Sequence, residues 1–331
     1  MPHLDAYNRP ISYLRISVTD RCNLRCVYCM PPEGVPKRAH GEILHYEEIE
    51  TVVRAAAELG ITKVRLTGGE PLVRPGIVDL VSMLAHIPGI DDLAMTTNGA
   101  LLAGCAEDLA QAGLHRVNVS LDTLRPERFE RITRCGALKD VLDGMEAARQ
   151  AGLEPIKINT VVIRDLNDDE VVDFARKTIE PGWHVRYIEL MPIGSGATLA
   201  SQWQERGVTA SEIRQRIETT LGPLAPAKVS VGGGPARYYR LPDAKGTVGF
   251  ITPISEHFCT QCNRLRLTAD GHLRPCLLSD HEIDLRAPLR AGADVAQIKT
   301  LILQGIGDKP LRHHLAECEA PEGRAMSEIG G

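Results

Sequence analysis

The sequence predicts an α/β fold, with an open, incomplete (β/α)6 TIM-like barrel as the first choice and a doubly wound sheet as the second. Six short runs of β-forming residues alternate with amphipathic helical segments, and no turn signature joins neighbouring runs as hairpins. Aromatic residues make up only 4% of the 331-residue chain, so aliphatic side chains must fill the core, which suits an α/β fold.

The predicted strands are short and mostly apolar: YLRIS (13–17), KVRLT (63–67), LAMTT (93–97), RVNVSLD (116–122), IKINTVVI (156–163) and VRYIEL (185–190). Between them, YEEIETVVRAAAELG keeps its apolar residues at helical spacing and stops at Gly60, and LKDVLDGMEAARQAG stops in the same way at Gly152. Thr209 and Glu212 have the spacing of a capping box before a further helix.

The pattern changes after about residue 222, so we expect two regions: a partial barrel at 1–222 and a C-terminal extension at 223–331. The stretch GPLAPAKVSVGGGPA, rich in Gly and Pro, predicts a linker or a long loop at the junction. Short strand-like pieces, the turn ADG at 269–271 and the helical segment ADVAQIKTLILQG follow.

Charge and hydropathy exclude several classes of protein. The formal net charge is −5, which predicts neither a general nucleic-acid binder nor a membrane binder. The N-terminal MPHLDAYNRP lacks an apolar stretch and no apolar run reaches 18 residues, so we expect neither a secretory signal nor a transmembrane helix. Nine cysteines then indicate a reducing, cytoplasmic location and a metal-binding or catalytic use of thiols.

A first triplet of thiols follows the first predicted strand with the spacing C-x3-C-x2-C: Cys22, Cys26 and Cys29. In a barrel, the loop after a strand lies at the rim where active sites occur. Three thiolates suit an iron–sulfur cube with one iron left open for a small molecule. A zinc knuckle completed by a distant histidine, or buried free thiols, are the alternatives that the spacing leaves open.

A second triplet has the spacing C-x2-C-x13-C: Cys259, Cys262 and Cys276. Zinc held by three Cys and one His competes here, because His257 and His272 are close in sequence. Two separate sets of three thiols are harder to explain as two incomplete zinc sites, so we favour iron–sulfur clusters. The remaining cysteines lack ligand spacing and are interpreted as structural thiols: Cys105, Cys135 and Cys318.

Two further stretches carry chemistry. RLTGGEPLVR (65–74) follows the second strand, and its paired glycines predict a close approach of the backbone to a ligand. Arg264 and Arg266 share a face of one predicted strand beside the second triplet, where guanidinium groups are suited to holding phosphates. For charged residues inside the barrel strands, each taken alone, we favour an outward position: Arg15, Arg65 and Lys157.

With CNLRCVYC and LTGGEPL, the sequence resembles the radical S-adenosylmethionine superfamily. FCTQCNRLRLTADGHLRPCL and the terminal Gly-Gly narrow this resemblance to the GTP 3′,8-cyclases, which begin molybdenum-cofactor (molybdopterin) biosynthesis. The resemblance covers essentially the whole chain. It implies an incomplete (β/α)6 barrel whose C-terminal extension carries a second iron–sulfur cluster.

The resemblance also implies cofactors and site residues. The first triplet would hold a 4Fe–4S cluster whose open iron binds S-adenosylmethionine, and the second triplet would hold a second 4Fe–4S cluster facing GTP. Positions matching contacts to S-adenosylmethionine are Tyr28, Gly69, Ser120 and Met191. Positions matching contacts to GTP are Arg15, Arg65, Thr96, Lys157, Arg264 and Arg266. Positions implied in the catalytic step are Arg15, Gly330 and Gly331.

The implied reaction is hydrogen abstraction from C3′ of GTP by a 5′-deoxyadenosyl radical, followed by attack on C8 to give 3′,8-cyclo-7,8-dihydro-GTP. The implied partners are an external one-electron donor, such as a flavodoxin, and the next enzyme, cyclic pyranopterin monophosphate synthase; a homodimer is left open. Two alternatives stand beside this function: a radical S-adenosylmethionine maturase that modifies peptides and carries an auxiliary cluster, and a zinc-stabilised binding module.

Overall fold

The fold is a single twelve-stranded sheet with helices packed on its outer side, as seen in a computed structural model that describes residues 2–36, 38–193, 198–228, 233–313 and 324–330. The strands in chain order are β1 (Tyr13–Ser17), β2 (Lys63–Thr67), β3 (Asp92–Thr97), β4 (Arg116–Ser120), β5 (Lys157–Val162), β6 (His184–Glu189), β7 (Ala225–Pro226), β8 (Arg237–Arg240), β9 (Thr247–Ile251), β10 (Arg264–Leu267), β11 (His272–Arg274) and β12 (Ile283–Asp284).

The helices, apart from short 3-10 turns, follow the βα alternation through the first six strands. In chain order they are α1 (Tyr46–Glu58), α2 (Ile77–Ala85), α3 (Ala106–Gln111), α4 (Pro126–Thr133), α5 (Leu138–Gln150), α6 (Val171–Arg176), α7 (Trp203–Arg206), α8 (Ala210–Leu221), α9 (Arg286–Arg290), α10 (Val295–Gly307) and α11 (Met326–Ile329). None of the helices in the described part of the chain is long and apolar enough to cross a bilayer.

The strand order is β12-β11-β10-β1-β2-β3-β4-β5-β6-β9-β8-β7. All neighbours from β10 through β9 pair in parallel. The outer strands at both ends pair antiparallel, and β12 and β7 end the order without pairing to each other. The sheet is therefore an open barrel, which confirms the predicted fold class over the doubly wound alternative.

The six predicted strands form the middle of the sheet as β1 to β6, with bounds that differ from the predictions by at most two residues. The strand β9 next to β6 was not predicted, and for the predicted strand of Arg264 and Arg266, which is β10, the pairing with β1 was not predicted. Both come from the region after residue 222, and they extend the barrel at its two opposite edges. The division of the chain at 222/223 stays a prediction, because the extension shares one sheet with the barrel.

Local sequence signals explain several helix ends. The capping box is present, since the Thr209 hydroxyl accepts a hydrogen bond from the Glu212 N–H and the Glu212 carboxylate accepts one from the Thr209 N–H (3.3 and 3.0 Å). The ADG turn is also present: Gly271 has a φ of 84° and donates to Thr268 O. In α1 the buried residues Ile49, Val52 and Ala56 form the apolar stripe facing the sheet.

Candidate active site

The first triplet lies in the loop after β1, at the carboxyl ends of the parallel strands. Cys29 N–H donates to Cys26 O (2.9 Å), which folds the loop into a turn. Val27 N–H donates to Ile132 O (2.9 Å), which holds the turn against α4. Burial raises the pKa of Cys22 to about 11 and that of Cys29 to about 12.

Neighbouring thiols act on one another in this loop. The pKa of Cys26 lies well above its usual range, first because of burial and then because charge on Cys29, Asp122 or Cys22 would oppose its ionisation. Three such thiols become thiolates only beside a strong positive charge, as iron in a cluster supplies. The residues present therefore fit an iron–sulfur cluster.

The paired glycines after β2 pack against the chain that leads into this loop. A Cβ on Gly69 would lie 2.3 Å from the Arg21 carbonyl oxygen, and one on Gly68 would lie 2.8 Å from the Thr19 carbonyl oxygen. Gly69 N–H donates to that same Thr19 oxygen (2.7 Å). The neighbouring backbone thus leaves no room for a side chain at Gly68 or Gly69, and this packing role of the two glycines was not predicted from sequence. Contact of Gly69 with S-adenosylmethionine stays a prediction.

Glu70 joins the loops after β2 and β3. Its buried carboxylate accepts hydrogen bonds from Leu72 N–H (3.1 Å), the Thr97 hydroxyl (2.7 Å) and Asn98 N–H (2.7 Å). Burial raises the pKa of Glu70 to about 7, although these hydrogen bonds lower it in part. The Asn98 side chain in turn donates to the side chain of Asn23 in the loop of the first triplet (2.8 Å).

Tyr28 and Ser120 lie on the same rim of the barrel. The Tyr28 hydroxyl donates to Asp122 Oδ2 (2.7 Å), and Asp122 Oδ1 accepts from Val161 N–H (2.8 Å). Burial raises the pKa of Asp122 to about 6, because hydrogen bonds offset the desolvation only in part. Ser120 ends β4, in register with Asn159 on β5. Their contacts with S-adenosylmethionine stay predictions.

A cavity of about 300 Å³ opens inside the barrel. The cationic side chains that line it are Arg15, Arg65, Lys157, Arg186, Arg264, Arg266 and Lys309. Within the described ranges, no Asp or Glu side chain contributes to its wall. The second triplet and Met191 also line it. The cavity is therefore a buried, strongly positive site that adjoins three thiols.

The favoured outward position was wrong for Arg15, Arg65 and Lys157, because all three line the cavity. Thr96 is the exception in the predicted set for GTP. It lies on β3, its hydroxyl accepts a hydrogen bond from Asn118 Nδ2 (3.4 Å), and it is not among the side chains that line the cavity in the described part of the chain.

Three arginines stand side by side on adjacent strands. The register pairs Arg15 of β1 with Arg266 of β10 on one side and with Arg65 of β2 on the other. Like charges directly opposite each other destabilise a sheet.

Some nitrogens of the cavity arginines are also unpaired within the described ranges. Arg65 Nε and two nitrogens of Arg186, Nε and Nη2, find no hydrogen-bond partner among the residues that the structure describes. We call Arg266, Arg15 and Arg65 the arginine row; it suits a ligand with several negative charges.

Burial, together with the positive charges around the cavity, lowers the pKa values of two of its cations. The pKa of Lys157 is lowered to about 7, first by burial and then by the charges of Arg186, Arg116 and Arg65. Burial likewise lowers the pKa of Arg15 to about 9. A bound polyanion would reverse both shifts, because it would stabilise the protonated forms.

The second triplet lies at the wall of this cavity. Burial alone would raise the pKa of Cys262, but the charges of Arg264 and Lys309 lower it to about 6. The Arg264 Nη2 donor lies 3.9 Å from Cys262 Sγ. Burial raises the pKa of Cys259, so this triplet combines one thiol that ionises readily with one that does not. A buried thiolate stabilised by cations fits a metal cluster.

The histidines considered as zinc ligands have other partners. His257 Nδ1 lies 3.1 Å from Pro253 O, and His272 Nδ1 lies 3.4 Å from the Asp270 carboxylate. Across the described ranges, no three His, Cys, Asp or Glu side chains form a group that could hold a single metal ion. Thiols around a four-iron cube need not converge on one point, because the cube is much larger than an ion.

The C-terminal tail reaches the arginine row. The Gly330 carbonyl accepts hydrogen bonds from Arg15 Nη2 (3.3 Å) and from Arg266 Nη1. Gly330 has a φ of 70°, and a Cβ there would lie 2.1 Å from Thr67 Oγ1. A residue other than glycine would therefore be strained and would clash. Gly331 and Cys318 lie outside the described residues.

The helix α11 places the tail between the two triplets. The Ser327 N–H is close enough to the Cys29 thiol to lower its pKa in part, against the larger effect of burial. Ile329 packs with Ile193 and Leu278 in a small apolar cluster beside Met191. Outside this cluster, Arg324 fastens the segment through hydrogen bonds to the carboxylates of Asp270 (2.9 Å) and Glu282 (2.6 and 2.7 Å).

Several side chains of the site were not predicted from sequence: Glu70, Asn98, Asp122, Arg186 and Lys309. Asn98 and Asp122 are polar residues that follow the ends of strands, and barrel active sites lie at those ends. Their positions in the sequence could therefore have indicated them. Arg186 is a charge inside an apolar strand, a weaker signal. Lys309 follows a helix far from either triplet in sequence, and no local pattern marks it.

Family models match both halves of the chain: the Radical SAM superfamily model covers residues 16–178, and the Molybdenum Cofactor Synthesis C model covers residues 183–315. A protein of Pelotomaculum thermopropionicum named GTP 3′,8-cyclase is 60% identical over 327 residues, 99% of each chain. A protein of the same name from Moorella thermoacetica is 51% identical, again over 99% of each chain.

Solved structures resemble the chain at lower identity. The crystal structure of Streptococcus suis SuiB has a TM-score of 0.58 and 16% identity, covering 84% of this chain and 64% of that chain. SuiB bound to the precursor peptide SuiA has a TM-score of 0.59 and 15% identity, covering 92% and 67%. At this identity the likeness concerns the fold alone.

Proposed function

The chain belongs to the GTP 3′,8-cyclase family of the radical S-adenosylmethionine superfamily, and from this membership we propose that it cyclises GTP to 3′,8-cyclo-7,8-dihydro-GTP, the first step of molybdenum-cofactor biosynthesis. The observation that carries the proposal is the arginine row, which lies in a buried cavity whose described wall holds no acidic side chain. A nucleoside triphosphate supplies the negative charge that this row needs.

Enzymes of this family use S-adenosylmethionine and two 4Fe–4S clusters, and the two triplets are the thiol sets that fit them. We assign the first triplet to the cluster that binds S-adenosylmethionine and the second triplet to the other cluster. When bound, the first cluster supplies the electron for reductive cleavage of S-adenosylmethionine. The cofactor contacts that we propose are Tyr28, Gly69, Ser120 and Met191.

The protein itself binds, orients and shields the substrate. Guanidinium groups of the arginine row, with Arg264, hold the triphosphate through charge-assisted hydrogen bonds. Lys157 gains its proton as the phosphates bind, because their charge opposes the lowering of its pKa to about 7. Thr96 is a further proposed contact, from the neighbouring strand. Burial of the cavity excludes water while C3′ of GTP loses a hydrogen atom to the 5′-deoxyadenosyl radical and bonds to C8. One electron from the external donor and one proton then convert the cyclised radical to the dihydro product.

The Gly330 carbonyl orients two members of the arginine row, Arg15 and Arg266. It thereby fixes the directions in which their remaining N–H groups point. We propose that Gly330, Gly331 and Arg15 set the geometry of the reacting groups, since a displacement of about an ångström is enough to slow a reaction strongly.

We further propose that a one-electron donor, such as a flavodoxin, reduces the first cluster. The product then passes to cyclic pyranopterin monophosphate synthase, and the thiol content suits the reducing cytoplasm. The peptide maturase and the zinc module have less support, because neither needs a cavity wall with seven cations.

The test is anaerobic incubation of the reconstituted protein with GTP, S-adenosylmethionine and a reductant, followed by chromatography and mass analysis. We expect 5′-deoxyadenosine together with a product that has the mass of GTP but a different retention time. Formation of 5′-deoxyadenosine with GTP left intact would contradict the proposed substrate.

A pair of variants tests the proposed contacts to the triphosphate directly. Replacing Arg264 and Arg266 with Ala should weaken GTP binding about 10- to 150-fold for each charge-assisted bond lost and leave S-adenosylmethionine binding unchanged. Arg54→Ala is the matched control, because Arg54 is half exposed on α1 and pairs with Glu50. Equal losses for both ligands would indicate damage to the neighbouring cluster rather than loss of phosphate contacts.

A further inference from the structure

Lys309 is a buried cation at the second triplet, with 3% of its surface exposed. Its Nζ donates to Arg264 O (2.8 Å) and to Pro275 O (2.7 Å), and its charge helps to lower the pKa of the Cys262 thiol. These two carbonyl acceptors use two of the three N–H donors of the ammonium group. Because Pro275 precedes Cys276, Lys309 ties together the segments that carry two of the three thiols.

Arg9 holds the third thiol segment to the same turn. It is also buried, and its Nη1 donates to Cys259 O (2.8 Å) and Leu311 O (3.1 Å), while its Nη2 donates to Pro310 O (2.8 Å). Asp5 orients the guanidinium through an ion pair to Nε. The N-terminal loop and the turn after α10 thus meet behind the second triplet.

We propose that Arg9 and Lys309 form a clamp that holds the three segments of the second triplet in place for cluster binding, and that the charge of Lys309 raises the reduction potential of the bound cluster. This inference rests on the proposed function, because it assumes a cluster at the second triplet. Both are positioning residues, since they act on the cluster through the thiol-bearing segments.

Two physical reasons support the clamp. Thiols on separate segments lose conformational freedom when they bind one cluster, and segments already fastened together lose less. Hydrogen bonds to cluster sulfurs and the charges nearby set the potential, and a cation stabilises the more negative reduced state. Lys309 offers a positive charge close to Cys262, and its hydrogen bonds to Arg264 O and Pro275 O hold that charge in place.

The experiment uses the full chain, reconstituted anaerobically, in a Cys26→Ala background so that the remaining iron reports the second triplet. Lys309→Met removes the charge and keeps the length of the side chain. Lys139→Met is the control, because Lys139 is 80% exposed and belongs to a surface ion pair. Two quantities are measured for each variant. One is the rate at which iron is released to a chelator, and the other is the reduction potential of the cluster, determined by electron paramagnetic resonance.

We expect Lys309→Met to release iron about 10- to 100-fold faster, with a more negative potential, and the control to match its parent. Lys309→Arg, which keeps the charge, should stay closer to the parent in potential than Lys309→Met. Iron release and potential both unchanged in Lys309→Met would overturn the inference. So would equal shifts in Lys309→Met and Lys309→Arg, because charge would then have no role.

Failure of the cluster assignment and failure of the clamp give different results. If the parent protein binds no iron at the second triplet, both the cluster assignment and the clamp are wrong. If the parent binds a cluster and Lys309→Met does not disturb it, the clamp alone is wrong. Circular dichroism will show whether Lys309→Met fails to fold. In that case Arg9→Met, which frees the segment of Cys259, is tested for the same faster release of iron from the second triplet.

Discussion

Gly330→Ala perturbs the tail without touching either triplet of thiols. Gly330 sits in the left-handed region with a φ of 70°, and a Cβ there would lie 2.1 Å from Thr67 Oγ1. The Thr67 hydroxyl is not free to turn away without cost, because it donates to Ile16 O (3.1 Å). The added methyl group must therefore displace either the hydroxyl or the tail.

The magnitude follows from two costs. The left-handed conformation costs a residue with a Cβ about 1–2 kcal/mol. Breaking the hydrogen bond of Thr67 costs about 1 kcal/mol more. Together these amount to about 2–3 kcal/mol, so the equilibrium between the inserted and displaced tail should shift roughly 30- to 150-fold toward displacement.

The assay compares iron content, GTP affinity and cyclised product per 5′-deoxyadenosine formed. We expect iron content to hold and the product ratio to collapse, since a displaced Gly330 carbonyl no longer orients Arg15 and Arg266. Thr67→Ala added to Gly330→Ala should restore part of the loss by removing the clashing oxygen. Gly104→Ala is the control, because nothing lies within 4 Å of a Cβ there. Product formation by Gly330→Ala at the wild-type ratio would refute the proposed role of the tail.

Three further outcomes are expected. Cys26→Ala should abolish cleavage of S-adenosylmethionine, because two thiols cannot hold the first cluster; normal 5′-deoxyadenosine production would contradict that assignment. Cys262→Ser should lower iron content by about half and impair GTP turnover more than assembly of the first cluster, and an unchanged iron count would point to zinc or no metal at the second triplet. Because burial and neighbouring cations lower the pKa of Lys157 to about 7, its proton is lost as pH rises. GTP affinity should then fall between about pH 6 and 8, more steeply than in Lys157→Met, and equal slopes would show that another group titrates.

Local pattern was enough to predict the parts of the fold that depend on neighbouring residues. The bounds of β1 and β2, the capping box of Thr209 and Glu212 and the ADG turn all follow from residues within a few positions of one another. The spacing of each triplet is also local, since three thiols on one loop or one hairpin approach each other wherever the loop lies. The spacing of the thiols depends little on the rest of the chain, whereas the segments of the second triplet are also held by Arg9 and Lys309.

Local pattern could not predict whether the charged side chains on the barrel strands face the lumen or the outside. Side chains alternate between the two faces of a strand, so position alone leaves open whether Arg15 or Arg65 faces the lumen or the outside. The pairing of β10 with β1 decides it, because that pairing places Arg266 beside Arg15 and closes a cavity around both. Strands more than 240 residues apart in sequence meet there, and no local signal specifies such a contact.

The sequence by itself determined the alternation of strands and helices, the two triplets and, through its motifs, the family. Only the tertiary structure decided that β9 and β10 extend opposite edges of one sheet, that Gly330 reaches the arginine row and that Lys309 lies against Cys262. The physical reason is the range of the interactions. Hydrogen-bonded turns and helices are specified over a few residues, whereas the positions of buried charges depend on which distant segments share the burial.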